Sequence, residues 1–339
     1  LGKTSRNFII KTIGGPVGVI DGPTDCSAMR TGRECEIEAR PDTRAEPTAD
    51  PRYVWAVDSA AVQAMRCPLD HADFTTAPGR LVCRSGHSFD IAKQGYVNVT
   101  VAGEKSANLR SDDLAMVTAR QRFLATGAFD PILHAVASRM PQATSEQASQ
   151  LFVELGAGTA AYLAAALETA PSAHGIAVDL SVPATIRAAR SHPRATALVS
   201  DSWAPLPIAD GVADAVIVAF APRNLAEIAR ILRPGGRLVL ASAKPAHIHQ
   251  LREEFELLGI ATKNTDRVSV PAEQVGMAVT EVNELEFVMT LQPPQVADLI
   301  LMGPNAWHVD REELRAQVML TATPRDVTAA VGLWVLERR

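Results

Sequence analysis

The sequence predicts an α/β chain whose larger part is a doubly wound, Rossmann-like parallel sheet of seven strands, preceded by a small turn-rich module. Three observations predict it. From Gln150 onward, short apolar runs alternate with helical stretches, the pattern of a parallel sheet with crossover helices. A glycine-rich segment, Gly156-Ala157-Gly158, falls between the first apolar run and the first helix. Residues 66–100 instead hold cysteines, histidines and turn formers, without a long periodic run.

The elements follow in order. Residues 1–62 read as a poorly ordered leader: they contain Gly14-Gly15-Pro16, Gly22-Pro23 and the Arg40–Pro51 tract, with mixed charge and no apolar period. The chain opens with Leu, and Met65 lies just before Cys67. Two readings stand: the functional protein starts between about Val54 and Met65, or the leader is a genuine flexible tail. Residues 63–105 form the turn-rich module. Residues 106–145 read as a helical linker, with an amphipathic helix from Asp112 to about Gly127 whose apolar positions include Leu114, Val117, Phe123 and Leu124. Asp112 or Asp113 caps it.

Residues 146–339 hold the sheet. Leu151–Val153, Gly175–Val178, Ala197–Val199, Ala215–Ala219 and Arg237–Ala241 are expected strands. Helices are expected at Ala160–Leu167, Pro183–Ser191 and Asn224–Leu232. Runs near Glu284–Leu291 and Ala330–Leu336 complete seven strands.

Composition limits the function classes. A hydrophobic content of 47% in 339 residues supports a sizeable core, and a formal net charge of −5 excludes a uniformly basic surface. No apolar run is long enough to span a membrane, no secretory pattern opens the chain, and four cysteines are too few for a disulfide scaffold. A cytoplasmic enzyme is the expectation.

The segment Glu154-Leu155-Gly156-Ala157-Gly158-Thr159-Ala160 follows a strand and opens a helix. Glycines there permit a tight turn and close approach of a ligand to the backbone. By itself the turn suits a nicotinamide dinucleotide equally well. Four further features favour S-adenosylmethionine. Glu154 is placed to face a cationic amino-acid moiety. Asp179 ends the second strand, where a carboxylate accepts ribose hydroxyls, and Asp201 ends the third, where adenine N6 is held. The Arg233-Pro234-Gly235-Gly236-Arg237 turn suits a methyltransferase and not a dehydrogenase. Each aspartate alone is an ordinary turn or cap residue; the four features in this order are not. Ala160 stands where a third glycine is common.

Cys67-Pro-Leu-Asp70 and Cys83-Arg-Ser-Gly-His87 have the spacing of a structural zinc site, except that Asp70, with His71 beside it, stands where a second cysteine is expected. Thiolate is the commoner ligand in closed sites. Three readings stay open: zinc on Cys67, Asp70 or His71, Cys83 and His87; a ribbon that packs without metal; and an ordinary turn histidine at His87.

The stretch His87-Ser-Phe89-Asp90-Ile-Ala92-Lys93-Gln-Gly95-Tyr96-Val97-Asn98 resembles the segment after the zinc site of the RlmA/TlrB-type 23S rRNA (guanine-N1)-methyltransferase family. Asp112…Met116…Ala119-Arg120…Phe123-Leu124…Gly127, Phe220-Ala221-Pro222 and Leu301-Met302-Gly303-Pro304-Asn305-Ala306-Trp307 resemble its later segments. The likeness runs from about Arg66 to Arg339. It implies a zinc-ribbon-like RNA-recognition module before a class I S-adenosylmethionine methyltransferase domain, a cytoplasmic location and a homodimer. It also implies methyl transfer to N1 of a guanine in a 23S rRNA hairpin loop, in a family that includes macrolide-resistance enzymes. The departures are Asp70 and the leader.

N1 of guanine carries a proton, so a base or a hydrogen-bonded water is expected, and no residue of the sequence identifies it. Phe220 and Trp307 are the candidates for stacking the target base, with core packing the alternative for each. Residues 80–122 hold seven lysines and arginines against four acidic residues. That excess fits a basic recognition module, and equally an ordinary solvated face. The competing functions are a small-molecule methyltransferase of the same fold, a non-catalytic RNA-binding protein with a decayed cofactor site, and an NAD oxidoreductase.

Overall fold

The computed structural model describes the backbone of residues 9–12, then residues 57–101, 110–142, 149–260 and 266–339. The first strand is β1 (Ile9–Thr12), followed by helix α1 (Ser59–Ala64). The turn-rich module carries β2 (Phe74–Ala77), β3 (Arg80–Cys83), β4 (Ser88–Asp90) and β5 (Tyr96–Asn98). Helices α2 (Leu114–Ala125) and α3 (Asp130–Ala137) lead into β6 (Gln150–Leu155), α4 (Ala161–Thr169), β7 (Ala173–Asp179), α5 (Val182–Ala188) and β8 (Ala195–Val199). Then come β9 (Ala213–Ala219), α6 (Leu225–Ile231), β10 (Leu232–Ala243), α7 (His249–Glu254) and α8 (Asp266–Gln274). The chain ends with β11 (Met277–Leu291), α9 (Pro293–Leu301), a 3-10 turn (Pro304–Trp307), α10 (Arg311–Leu320) and β12 (Arg325–Arg338).

β2, β3 and β4 make a small antiparallel sheet. The main sheet has the order β1-β11-β12-β10-β9-β6-β7-β8-β5. Its five strands from β10 to β8 are parallel, and β12 runs antiparallel to both β10 and β11. The expected seven strands are all present, but among the described residues the sheet has nine. At one edge β5 pairs in parallel with β8, and at the other β1 pairs antiparallel with β11. An unpaired edge strand exposes a row of backbone donors and acceptors, and these two strands satisfy them.

The near-continuous apolar strands are explained by cover on both faces. Along β6, Leu151, Val153 and Leu155 enter one core while Phe152 enters the other. Along β9, Val216 and Val218 face one side and Ala215, Ile217 and Ala219 the other. One core holds residues of α2, α3, α4, α9 and α10; the other holds α1, α6, α8 and the turn-rich module, including Cys67, Phe74, Leu81 and Val97. Full burial of each leucine, isoleucine or valine contributes about 1.5–3 kcal/mol.

Two expected boundaries are corrected. Val57–Val62, assigned to the leader, belong to the fold: Asp58 caps α1 through Ala60 and Ala61 N–H groups, and Ala61, Val62 and Ala64 are buried. A six-residue alanine-rich helix has too little periodicity to be read from sequence. Ile9–Thr12 also form a strand, while the remaining leader residues, with Cys26 and Cys35, lie outside the described residues. Of the segment 106–145 expected as a linker, the described residues 110–142 form a wall of the main core instead, because Met116, Ala119, Phe123, Ile132 and Val136 are all buried there. Asp113, not Asp112, caps α2, accepting the Met116 N–H at 2.9 Å. Arg122 anchors that helix by a two-pronged bond to the buried Asp298 of α9, at 2.8 and 2.5 Å. Among the described residues no helix is long and apolar enough to cross a membrane.

Candidate functional site

Strand order reverses at β6: the chain runs outward through β7 and β8, then returns to β9 on the other side. Such a switch point opens a crevice at the carboxyl ends of the strands. A cleft of about 1010 Å³ lies there, bordered by the ends of β6, β7, β8 and β9 and roofed by α2 and the Met302–Trp307 segment.

The turn after β6 has no room for a side chain at either of its glycines. Gly156 and Gly158 have φ of +64° and +55°. A Cβ on Gly156 would stand 2.5 Å from Ala221 Cβ, and one on Gly158 would stand 2.7 Å from Arg120 Nη1. Ala160 holds φ of 56° although it is not glycine, and it is fully buried at the N-cap of α4.

The three predicted carboxylates converge on the same cleft. Glu154 is buried and its Oε2 accepts the Leu163 N–H at 3.0 Å. Burial, then the hydrogen bond to Leu163 acting oppositely, leaves its pKa pushed up to about 8. Asp179 accepts the Gly158 N–H at 2.7 Å and the Ser181 N–H at 2.8 Å. Burial raises its pKa and these two bonds oppose the rise. Asp201 accepts the Trp203 N–H at 2.9 Å in its own turn, and Trp203 is half exposed beside it. Pro234–Gly236 do not reach the cleft; they form an irregularity in β10 between Leu232 and Arg237, where Gly236 has no room for a Cβ beside Arg233 O.

Beside the glycine turn, lining the same cleft, are several aromatic rings. Phe220 ends β9 at φ of 55°, a strained conformation for a bulky residue, with its N–H bonded to Ala241 O. Its ring is partly exposed and stacks on Phe129 at 6.1 Å, with Tyr162 at 6.4 Å and His247 at 5.8 Å. Trp307 also borders the cleft, while part of its ring packs against the core. His247 is buried; desolvation, then the charge of Arg252, holds its pKa down to about 4, so the ring is neutral.

In the small module, Cys67, Asp70, Cys83 and His87 bring one ligand atom each within 4.8 Å of one another. His87 Nδ1 lies 3.5 Å from Cys67 Sγ, 3.4 Å from Cys83 Sγ and 3.3 Å from Asp70 Oδ2, and Cys83 Sγ lies 3.7 Å from Asp70 Oδ2. A tetrahedral zinc with ligands at about 2.3 Å for sulfur and about 2.0–2.1 Å for nitrogen or oxygen has edges of about 3.3–3.8 Å, the longest between the two sulfurs. The four side chains fit that ion. Backbone N–H groups of Leu69 and Asp70 turn toward the Cys67 sulfur. Hydrogen bonds from the Ser85 hydroxyl, then the Cys67 thiol, hold the Asp70 carboxyl well below the usual range. His71, the alternative to Asp70, is outside the cluster: it is exposed at φ of 58°, its N–H bonded to Cys67 O.

Arg120 and His247 were not singled out as site residues from sequence, and neither were Phe129 and Tyr162. Arg120 was one of several basic residues in a helix. Its position over Gly158, pairing with Asp112 Oδ2 at 2.6 Å and Met302 O at 2.5 Å, exists only because α2 docks on the sheet. His247 lies 93 residues beyond Glu154 in the sequence, with no motif around it.

Comparison with known proteins agrees with this arrangement. Residues 65–107 match the family model of the RlmA N-terminal zinc ribbon, and residues 153–240 match that of a methyltransferase domain. A protein of Micromonospora griseorubida, described as a 23S rRNA (guanine-N1)-methyltransferase, is 38% identical over 290 residues, covering 79% of this chain and 95% of its own. The 23S rRNA (guanine(748)-N1)-methyltransferase of Streptomyces fradiae is 35% identical over 276 residues, covering 81% of this chain and 96% of its own. A Bacillus subtilis (strain 168) protein described in the same terms is 26% identical over 276 residues. With its zinc ribbon, its glycine-turn cleft and these identities over most of both chains, the protein belongs to the 23S rRNA (guanine-N1)-methyltransferase family.

Proposed function

We propose that this protein transfers the methyl group of S-adenosylmethionine to N1 of a guanine in a hairpin loop of 23S rRNA, in the cytoplasm. The observation that carries the reading is the shared cleft: the turn at Gly156–Gly158 with its carboxylates and the aromatic rings of Phe129, Phe220 and Tyr162 line the same cavity. S-adenosylmethionine, when bound, supplies a methyl group activated by a sulfonium. Glu154 holds the cationic amino-acid end, Asp179 the ribose hydroxyls and Asp201 the adenine N6, while Gly156 and Gly158 admit the ligand to the backbone. Arg120 lies over the turn, where it complements the carboxylate of the amino-acid moiety.

The acceptor base must leave its stack to enter the cleft. Phe220 offers it a partly exposed ring beside the cofactor turn, and Trp307 borders the same space. Held in line, two reactants need little further catalysis, so positioning supplies most of the rate. Arg110 and Arg223 also border the cleft and serve phosphates of the flanking nucleotides. Zinc on Cys67, Asp70, Cys83 and His87 fixes the ribbon, which docks on the sheet edge through β5; four protein ligands make it a structural site.

The test is methylation of unmodified 23S rRNA with labelled cofactor, followed by mapping of the modified nucleotide. The name of the Streptomyces fradiae relative places its own target at guanine 748, so the corresponding nucleotide is the first to map. Expression in a macrolide-sensitive host tests the resistance role, and light scattering tests the homodimer. Transfer to a small metabolite with none to RNA would overturn the reading.

A further inference from the structure

We propose that His247 donates a hydrogen bond from Nε2 to O6 of the acceptor guanine, and that this bond both assists loss of the N1 proton and selects a 6-oxo purine. The proposal rests on the reading that guanine N1 is the methyl acceptor.

The turn carrying His247 is pinned to β12. Lys244 N–H donates to Ala330 O at 2.9 Å, Ile248 N–H to Thr328 O at 2.7 Å, and His247 N–H to Lys244 O at 2.9 Å. The ring is pinned as well, since its Nδ1 accepts the Ala330 N–H at 3.2 Å. An Nδ1 that accepts must be unprotonated, so the single proton of the neutral ring sits on Nε2. Nδ1 is held toward β12, while the residue borders the cleft and its ring lies 5.8 Å from that of Phe220 and 6.0 Å from that of Phe129.

A neutral imidazole with a fixed Nε2–H is a donor and not a base. Its depressed basicity supports that role, and the same device polarises substrate carbonyls elsewhere. In the transfer, the N1–H bond breaks and its electron pair forms the N1–CH3 bond. The S–CH3 pair stays on sulfur, which leaves as a neutral thioether, and the proton passes to water. As N1–H loosens, negative charge spreads through C6 onto O6. A donor fixed there stabilises this charge more than it stabilises the neutral base. An adenine would present its 6-amino hydrogens to the same N–H, leaving two donors face to face, so the contact also excludes adenine.

The full-length protein is assayed on 23S rRNA carrying either guanine or 6-thioguanine at the mapped position, as wild type, His247→Phe and His247→Gln. Phenylalanine keeps the aromatic stack and removes the donor; the glutamine amide restores an N–H near Nε2. His247→Phe is expected to lower kcat on guanine by about 10²-fold, with S-adenosylmethionine affinity unchanged. His247→Gln is expected to regain most of that loss. The penalty should shrink on 6-thioguanine, whose sulfur accepts weakly. An equal penalty on both RNAs, a change in KM alone, or an unimpaired His247→Phe would overturn the contact while leaving the guanine-N1 activity standing. A wild type that leaves guanine unmodified at N1 overturns both.

Discussion

The guanidinium of Arg120 lies against Gly158, so that a Cβ on the glycine would stand 2.7 Å from Arg120 Nη1. Helix α2 thereby closes over the glycine turn and sets a cation against it. Gly158→Ala must push Arg120 aside and hold φ of +55°, which costs about 1–2 kcal/mol for an L side chain. Gly156→Ala must also move the Ala221 methyl. Both variants are expected to bind S-adenosylmethionine at least about tenfold more weakly, as read by isothermal titration calorimetry. Unchanged affinity in Gly156→Ala would mean that the cofactor does not approach this turn.

Glu154 should make cofactor binding a proton-releasing event. Its folded-state pKa of about 8 lies above the ordinary value of 4.5, chiefly through burial. Between these values the free folded protein holds a proton that the unfolded chain has lost. Its contribution to stability is therefore complete below 4.5 and is lost as pH rises through 8. A bound ammonium favours the carboxylate and expels the proton. Calorimetry near neutral pH, in buffers of differing ionisation enthalpy, should show release of about one proton. Glu154→Gln should release less, because the group that carries this proton is gone.

The metal cluster predicts one zinc per chain. Elemental analysis of the purified protein should find it, and Cys83→Ser or His87→Ala should lose it together with the packing of β2–β4. Asp70→Cys should keep the metal and resist chelators longer, since thiolate is the softer ligand. A metal-free wild type with an intact ribbon would show that packing of Cys67, Phe74 and Leu81 suffices.

Arg122 and Asp298 tie α2 to α9. Removing the guanidinium leaves the buried carboxylate with Arg315 at 3.7 Å as its remaining ion-pair partner among the described residues. Because Arg122 is itself half exposed, Arg122→Ala is expected to cost about 2 kcal/mol, lowering Tm by several degrees in a calorimetric scan. Cofactor affinity should fall with it, since the same helix carries Arg120.

Much of this protein is determined locally and is therefore readable along the chain. Seven strands, the α4 and α5 helices, and the positions of Glu154, Asp179 and Asp201 at strand ends follow from periodicity and from glycines that only a tight turn requires. The spacing of Cys67, Asp70, Cys83 and His87 likewise offers a four-ligand cluster as one of its readings. Tertiary structure decided the rest. It chose Asp70 over His71, because αL backbone at His71 turns that residue away from the sulfurs. It turned an expected linker into the wall that places Arg120 on the glycine turn, and it added β5 and β1 to the sheet edges. It also set His247 beside Phe220 and fixed the ring's proton through Ala330 N–H, a bond between residues 83 positions apart. Such relations depend on which surfaces bury one another, and no local pattern of residues encodes that choice.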